Sequence, residues 1–363
     1  MKYILIAILI YVVVALGLMC VGYARLEDML TGLLLIVVGY SVVLAVDYSI
    51  RTSDTEIWSG QITNVYHKEE WDEWIPPRTE TYTTTSNGRT VTRTRIIPGR
   101  WVHHYAKNSI TTTDNGTISV DITPTGERLT DDYVNSTEEL ALHFPIGSPT
   151  ASFHQYTNKI KASNSVFKRK EIDIEDYPDL PEYPSSINKY QSVNRLIGIN
   201  DVLKSRYLDK INANLNNTNN PNNKEQIKGY KQVNLILVDF KDKDSNYGYA
   251  LQNYWQNGAK NDVVVCFGTN NNKPTWSYVF SWSQAETMKT NIEELIMSTD
   301  NINKEYNNTL DDISKLIEEK YERREFEEFD YIQIEVSFFA KIILILLLLG
   351  AIVLLLKDCG IGW

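Results

Sequence analysis

The chain has 363 residues, 23% of them charged, a net charge of -10 and a mean hydropathy of -0.29. That length allows two soluble domains of ordinary size, and the hydropathy is too low for a polytopic transporter. The acidic balance argues against nonspecific nucleic-acid binding, and three cysteines, Cys20, Cys266 and Cys359, exclude a disulfide scaffold and suit a reducing compartment.

Apolar residues are concentrated at the two ends. Runs from Ile4 to Val21, Met29 to Val46 and Phe338 to Leu356 continue almost without a charge. Each has the length that crosses roughly 30 Å of hydrocarbon as a helix, and none shows the polar stripe of a buried core helix. The expectation is an integral membrane protein with a two-helix hairpin over residues 1–47 and a third transmembrane helix over 337–357. Lys2 followed by the first apolar run also fits a secretory signal peptide, although the run is long for one. Near the spans, Lys2, Arg51, Arg323, Arg324 and Lys341 lie on the side of the soluble region against Arg25 and Lys357 on the other. By the positive-inside rule the soluble region is cytoplasmic, and the lipid bilayer is the first partner.

Residues 48–170 are rich in Thr, Val, Ile, Tyr and Trp and punctuated by Gly, Asn and Pro, the composition of an antiparallel β domain. Asn87-Gly88 suits a two-residue type I′ turn. That turn sets Glu80 opposite Arg95, Tyr82 opposite Arg93 and Thr83 opposite Thr92. One face of this hairpin then carries a cation over an aromatic ring and an opposite-charge pair, and the other carries threonines. Neither face has enough apolar surface to seal a core, so the hairpin should project into solvent or meet a partner. A second hairpin is expected around Asp114, Asn115 and Gly116, with further strands at Ile57 to His67 and Ala151 to Phe167. Trp71, Trp74, Pro76 and Pro77 form an aromatic cluster that suits a recognition surface, a headgroup contact or plain packing.

Tyr177, Pro178, Pro181, Tyr183 and Pro184 mark a proline-rich connector over 171–190. A helix is expected from Gln191 to Asn212, followed by an asparagine-rich loop from Asn214 to Asn223. Val233 to Asp239 and Val263 to Phe267 are apolar runs of strand length. The helix between them, with Tyr247, Ala250, Leu251, Tyr254 and Trp255 on one face, makes a right-handed βαβ unit closed at Gly258. Trp276 to Trp282 alternates as a strand, and Ser283 with Glu286 reads as a capping box for a helix to Met297. The domain over 191–300 is therefore a small, Rossmann-like α/β layer. Tyr306, Leu310, Ile313 and Ile317 keep a heptad-like spacing that suggests a helical stalk over 301–336.

The α/β segment, residues 190–298, resembles the TPM domain, a family of membrane-associated α/β domains. The resemblance rests on Val233 to Asp239, Tyr249-Ala250-Leu251, Trp255-Gln256-Asn257-Gly258 and Asn261-Asp262-Val263-Val264-Val265. It implies a TPM-like fold, and it implies the phosphatase activity proposed for some members. Where members usually continue with a glycine-rich segment and acidic residues suited to a cation, this chain has Ser281-Trp282-Ser283-Gln284. Such domains in bacteria commonly lie outside the cytoplasm, which pulls against the charge count above.

Asp239 and Asp262 sit near predicted strand ends, where α/β folds place ligands, and are the candidates for a divalent-cation or phosphate-ester site. The competing expectation is a solvated loop at Asp242 and Asp244 and a carboxylate at Asp262 that opens a strand. His67, His103 and His104 lack metal-ligand spacing, because alternation sends adjacent strand residues to opposite faces. Tyr82, Arg93, Arg95, Trp71 and Trp74 are the candidate binding surface. No cofactor motif is present. The expected class is an α+β multi-domain membrane protein acting as a tethered binding or scaffold module for a protein partner. The alternative is a membrane-bound hydrolase of phosphate esters.

Overall fold

The computed structural model describes residues 2–24, 26–86, 89–130, 133–163, 172–187, 190, 192–216 and 232–359. The expected turn at Asn87-Gly88 and residues 217–223 of the asparagine-rich stretch lie outside them. In chain order the elements are helices α1 (Lys2–Cys20) and α2 (Leu26–Thr52), then strands β1 (Ser53–Lys68), β2 (Trp71–Ile75), β3 (Arg78–Ser86), β4 (Arg89–Ile97), β5 (Arg100–His104), β6 (Lys107–Thr112) and β7 (Gly116–Ser119). Next come α3 (Thr137–His143), β8 (Pro149–Thr157), β9 (Leu196–Ile197), α4 (Val202–Leu215), β10 (Asn234–Asp239), α5 (Asn246–Tyr254), β11 (Asp262–Asn270) and β12 (Lys273–Ser281). The chain closes with α6 (Glu286–Ser298), α7 (Tyr306–Lys320) and α8 (Phe338–Asp358). This mixed α+β chain forms two compact units, one of residues 1–55, 155–171 and 325–363 and one of 56–154 and 172–324.

In the first unit, α1, residues Met29–Thr52 of α2 and Phe338–Lys357 of α8 are long and apolar enough to cross a membrane. Their outward positions, such as Leu5, Leu9 and Val13, are apolar as well. The three helices join through tyrosines whose hydroxyls need partners away from water. Tyr11 donates to the Met29 carbonyl at 3.2 Å and Tyr40 to the Leu344 carbonyl at 2.6 Å. Gly32 leaves the space that the Tyr11 ring fills. Ser337 caps α8 through the Ala340 N–H at 3.1 Å, and Asp47 accepts from the Ser337 N–H at 3.1 Å. Arg51 donates to the Glu335 and Ala162 carbonyls.

In the second unit, β7, β6, β1 and β8 form a sheet in that order, with β1, β6 and β7 antiparallel. Ile62, Val65, Ile110, Leu140 and Phe144 fill its core beneath α3. Helix α3 lies inside the region expected to be β only. Its signal is local: Ser136 caps the Glu139 N–H at 3.2 Å, and the Glu139 carboxylate accepts from the Asn135 N–H at 2.9 Å.

The second sheet has the order β12-β11-β10-β9. The expected parallel pair is present, with Asn234 beside Asp262 and Asp239 beside Phe267, and β12 adds an antiparallel edge. Leu235, Leu237, Val263 and Val265 face α4, α6 and α7, whereas Ile236, Val238, Val264 and Cys266 face α5. Strands β9, β10 and β11 are parallel neighbours in sequence order, yet α4 and α5 cover opposite faces. The two crossovers therefore have opposite hands, and one departs from the right-handed rule.

Four expectations change. The helix expected from Gln191 begins only at Val202, because Asp201 caps the Leu203 and Lys204 N–H groups and Leu196–Ile197 pairs with β10. The proline-rich connector is part of the α/β layer, since Tyr177, Leu180 and Tyr183 pack on the α5 face and Trp255 donates to the Pro181 carbonyl at 2.8 Å. The helix expected as a stalk buries Tyr306, Leu310, Ile313 and Ile317 in the sheet's core, so the heptad-like spacing is an ordinary amphipathic stripe. Helix α6 starts at Glu286 behind Ala285. Ser283 instead accepts from the Ala285 and Glu322 N–H groups, and Glu286 pairs with Lys289 at 2.6 Å.

Arg195, 1% exposed, joins the two layers of this unit. Its guanidinium donates to Asn234 Oδ1 at 2.7 Å, Asp209 Oδ1 at 2.9 Å and Ser59 Oγ at 2.7 Å. Replacing it by leucine strands a buried carboxylate and two polar partners, and the expected cost is about 3–5 kcal/mol. Lysine should recover only part of that, lacking the planar fork. Denaturant unfolding of the detergent-solubilised chain, followed by tryptophan fluorescence, measures both. His154, stacked on Trp58 at 3.7 Å, is pushed by burial below the ordinary histidine value of 6.5, against the pull of Asp114 and Glu56. The unfolded chain then binds the proton first as pH falls, so stability is lost on the acid side of that value. His154→Phe should flatten the stability profile as pH falls below the ordinary histidine value.

Candidate functional site: an exposed two-stranded ribbon

Strands β1 and β6 pair in one register from Asn64↔Thr111 to Lys68↔Lys107. The same register continues through β2 and β5, Trp71↔His104 to Ile75↔Arg100, and through β3 and β4, Arg78↔Ile97 to Ser86↔Arg89. The result is one antiparallel ribbon, interrupted at Glu69-Glu70 against Tyr105-Ala106 and at Pro76-Pro77 against Pro98-Gly99. From Trp71 to Ser86 it extends roughly 50 Å at strand rise. Beyond Lys68 no third strand pairs with it among the described residues, so both edges are open. The prolines supply no N–H to those edges. A side chain at Gly99 would collide with the Trp74 ring and Pro77.

The hairpin register is the one expected from the sequence. Glu80 accepts two hydrogen bonds from Arg95, at 2.9 and 2.7 Å. The cation over Tyr82 is Arg95, 5.8 Å from the ring centroid, and not the directly opposed Arg93. Arg95 leans diagonally because Glu80 anchors its other edge. Arg93 is exposed and has no ion partner among the described residues. Threonines 79, 81, 83, 90, 92 and 94 alternate onto the opposite face. Nearer the body, Trp71 stacks on His104 at 4.2 Å beneath Lys68, and Trp74 meets Trp101 at 5.2 Å. His103 and His104 contact different carboxylates, Asp72 and Glu73, at 2.8 and 2.9 Å. His67 bonds Asn108 at 2.7 Å. Among the described residues no group of three His, Cys, Asp or Glu could hold a metal ion.

Asp239 and Asp262 are not brought together. The parallel register puts Asp262 level with the start of β10 and Asp239 at its end, roughly 17 Å away along the strands. Asp262 is buried and accepts from Asn234 at 2.8 Å, Tyr183 at 2.8 Å and the Ala259 N–H at 2.7 Å. Asp239 is held by Lys241 at 2.6 Å and Thr269 at 3.1 Å. Asp244 accepts from the Asn246 N–H at 2.7 Å, as a turn carboxylate does. Burial raises the Cys266 thiol far above its ordinary range, so it is no nucleophile.

A groove of about 780 Å³ runs along one face of α4, lined by Leu142, Pro145, Ile187, Val202, Arg206 and Lys210. Asp209 at its floor is committed to Arg195 and to Ser192 at 2.7 Å. Neither the groove nor Arg195 is signalled in the sequence beyond a lone cation in the apolar stretch Val193 to Ile197. Asp262→Ala should cost about 3 kcal/mol by stranding buried donors. Millimolar Mg²⁺ or Ca²⁺ should move the unfolding midpoints of wild type, Asp262→Ala and Asp239→Ala equally, as thermal melts would record. Comparison with protein-family models, with curated proteins and with solved structures finds no match for the chain.

Proposed function

We propose that the chain is a membrane-tethered binding or scaffold module that presents the ribbon as its recognition surface to a protein partner. In this reading α1, α2 and α8 span the bilayer, and the soluble region is cytoplasmic, as the balance of lysines and arginines near the spans suggests. The observation that carries it is a long strand pair, open on both edges, that leaves Trp74, Trp101, Tyr82 and Arg93 exposed. Exposed aromatic and arginine side chains are the residues that dominate interface energetics.

We further read the α/β layer as TPM-like, supported by the parallel pair β10–β11 and by α5 ending in a left-handed turn at Gln256, Asn257 and Gly258. Here the layer serves as a support. Ser281 donates to the Asp262 carbonyl at 2.6 Å and Trp282 to the Gly258 carbonyl at 3.1 Å, so the segment that departs from the family closes the end of the sheet. Hydrolysis of phosphate esters fits this layer less well, because its two candidate carboxylates lie at opposite strand ends, each already hydrogen-bonded.

Photo-crosslinking residues placed at Tyr82 and at Trp101 in intact membranes test the reading. Both should give a discrete protein adduct, and Lys273 on the second sheet should give none. Loss of specificity between ribbon and control positions refutes it. Protease cleavage near Asn214 to Asn223 in sealed vesicles of known orientation reports the compartment.

A further inference from the structure

The ribbon is electrically polar along its length. Its root, residues 69–75 and 98–106, carries Glu69, Glu70, Asp72 and Glu73 against Arg100 alone. Its tip, residues 78–86 and 89–97, carries four arginines, at 78, 89, 93 and 95, against Glu80 alone. Root and tip are therefore opposite in sign, and on the face of Trp74 and Trp101 the root presents Glu70 and Asp72 beside His103, while Glu73 alternates to the other face. Where the root meets the tip stands an exposed tryptophan pair. Trp74 and Trp101 stand 47% and 68% exposed, on the face that alternation also gives to Asp72, Arg78, Arg93 and Arg95. Arg78 and Arg93 have no ion partner among the described residues, and Glu70 and Asp72 remain half exposed beside His103.

A surface with an apolar centre, one acidic flank and one basic flank is complementary to itself after a twofold rotation. We propose that the ribbon's partner is a second copy of this chain, the two ribbons crossing antiparallel with tryptophan pair on tryptophan pair and each acidic root against the other's arginine tip. This rests on the reading of the ribbon as the recognition surface. Such an arrangement is isologous and closed, so it stops at two chains. It places desolvated aromatics at the centre and complementary charge at the rim, as stable interfaces do. With the tryptophan pairs superposed, the overlap runs from Glu69 to its twofold equivalent, roughly 35 Å by 10 Å, so the ribbons themselves offer about 700 Å² in total, a small interface. Association is accordingly modest and sensitive to salt.

Full-length protein in detergent, its mass read by light scattering, tests the proposal with two charge-reversed chains. One has the tip reversed, R78E/R93E/R95E, and the other the root on the same face, E70K/D72K. Wild type should be dimeric at about 50 mM salt and dissociate toward about 500 mM. Each reversed chain alone should bind itself more than about thirtyfold more weakly. An equimolar mixture should regain the dimer, because an acidic ribbon face meets a basic one. Unchanged thermal melts would show that both variants fold. A wild type that stays monomeric at low salt, reversed chains that dimerise normally, or a mixture that fails to pair overturns the proposal. Loss through the tip variant alone, with the root variant still dimeric, overturns it as well. The broader reading falls separately. With self-pairing refuted, a crosslinked adduct at Tyr82 of mass other than twice the chain would leave the ribbon a recognition surface for another protein, and no ribbon-specific adduct would remove both.

Discussion

A guanidinium removed from water must have its donors met, and in this chain that requirement ties a β sheet to an α/β layer. Arg195 is buried between Ser59 of β1, Asp209 of α4 and Asn234 of β10. The network does not stop there, because Asn234 passes a hydrogen bond to Asp262 and Asp262 receives another from Tyr183 of the connector. Nearby, Glu56 accepts from Arg323 at 2.9 and 2.8 Å, and Asn261 donates to the Ile57 carbonyl at 2.8 Å. Segments distant in sequence are thus fixed by polar groups whose alternative is an unpaired charge or dipole in a dry interior. Hydrophobic burial supplies the driving force on either side of this seam, and the seam sets how the two layers meet.

The ribbon obeys different physics. It has no core, and its stability comes from cross-strand pairs and the ladder itself. Trp74 against Trp101, Trp71 against His104 and Arg95 against Glu80 are its internal order. Side chains of kinds that in the body are buried for stability are here left in solvent, which gives the ribbon surface to offer.

Much of this was legible beforehand. The register expected from reading Asn87-Gly88 as a two-residue turn is the one that β3 and β4 show, because such a turn leaves the ladder no freedom. The apolar runs Val233 to Asp239 and Val263 to Phe267 gave a parallel pair, and the three apolar helices followed from length alone. Periodicity failed where two structures share one pattern. The stripe Tyr306, Leu310, Ile313, Ile317 serves a packed helix as well as a stalk. Spacing also said nothing about which strand end a carboxylate occupies, so Asp239 and Asp262 could be paired on paper although the register holds them apart. Arg195 was invisible because its meaning depends on partners 14, 39 and 136 residues away.

The unbroken register from Asn64 to Ser86 constrains how such an arm can change over time. Lengthening both strands by one residue would turn every side chain beyond that point to the other face, exchanging the arginine face for the threonine face. Adding two residues to each strand keeps both faces and leaves the body untouched. Descendants of this chain should therefore carry arms that differ in reach by even steps, while the seam around Arg195 stays the same size.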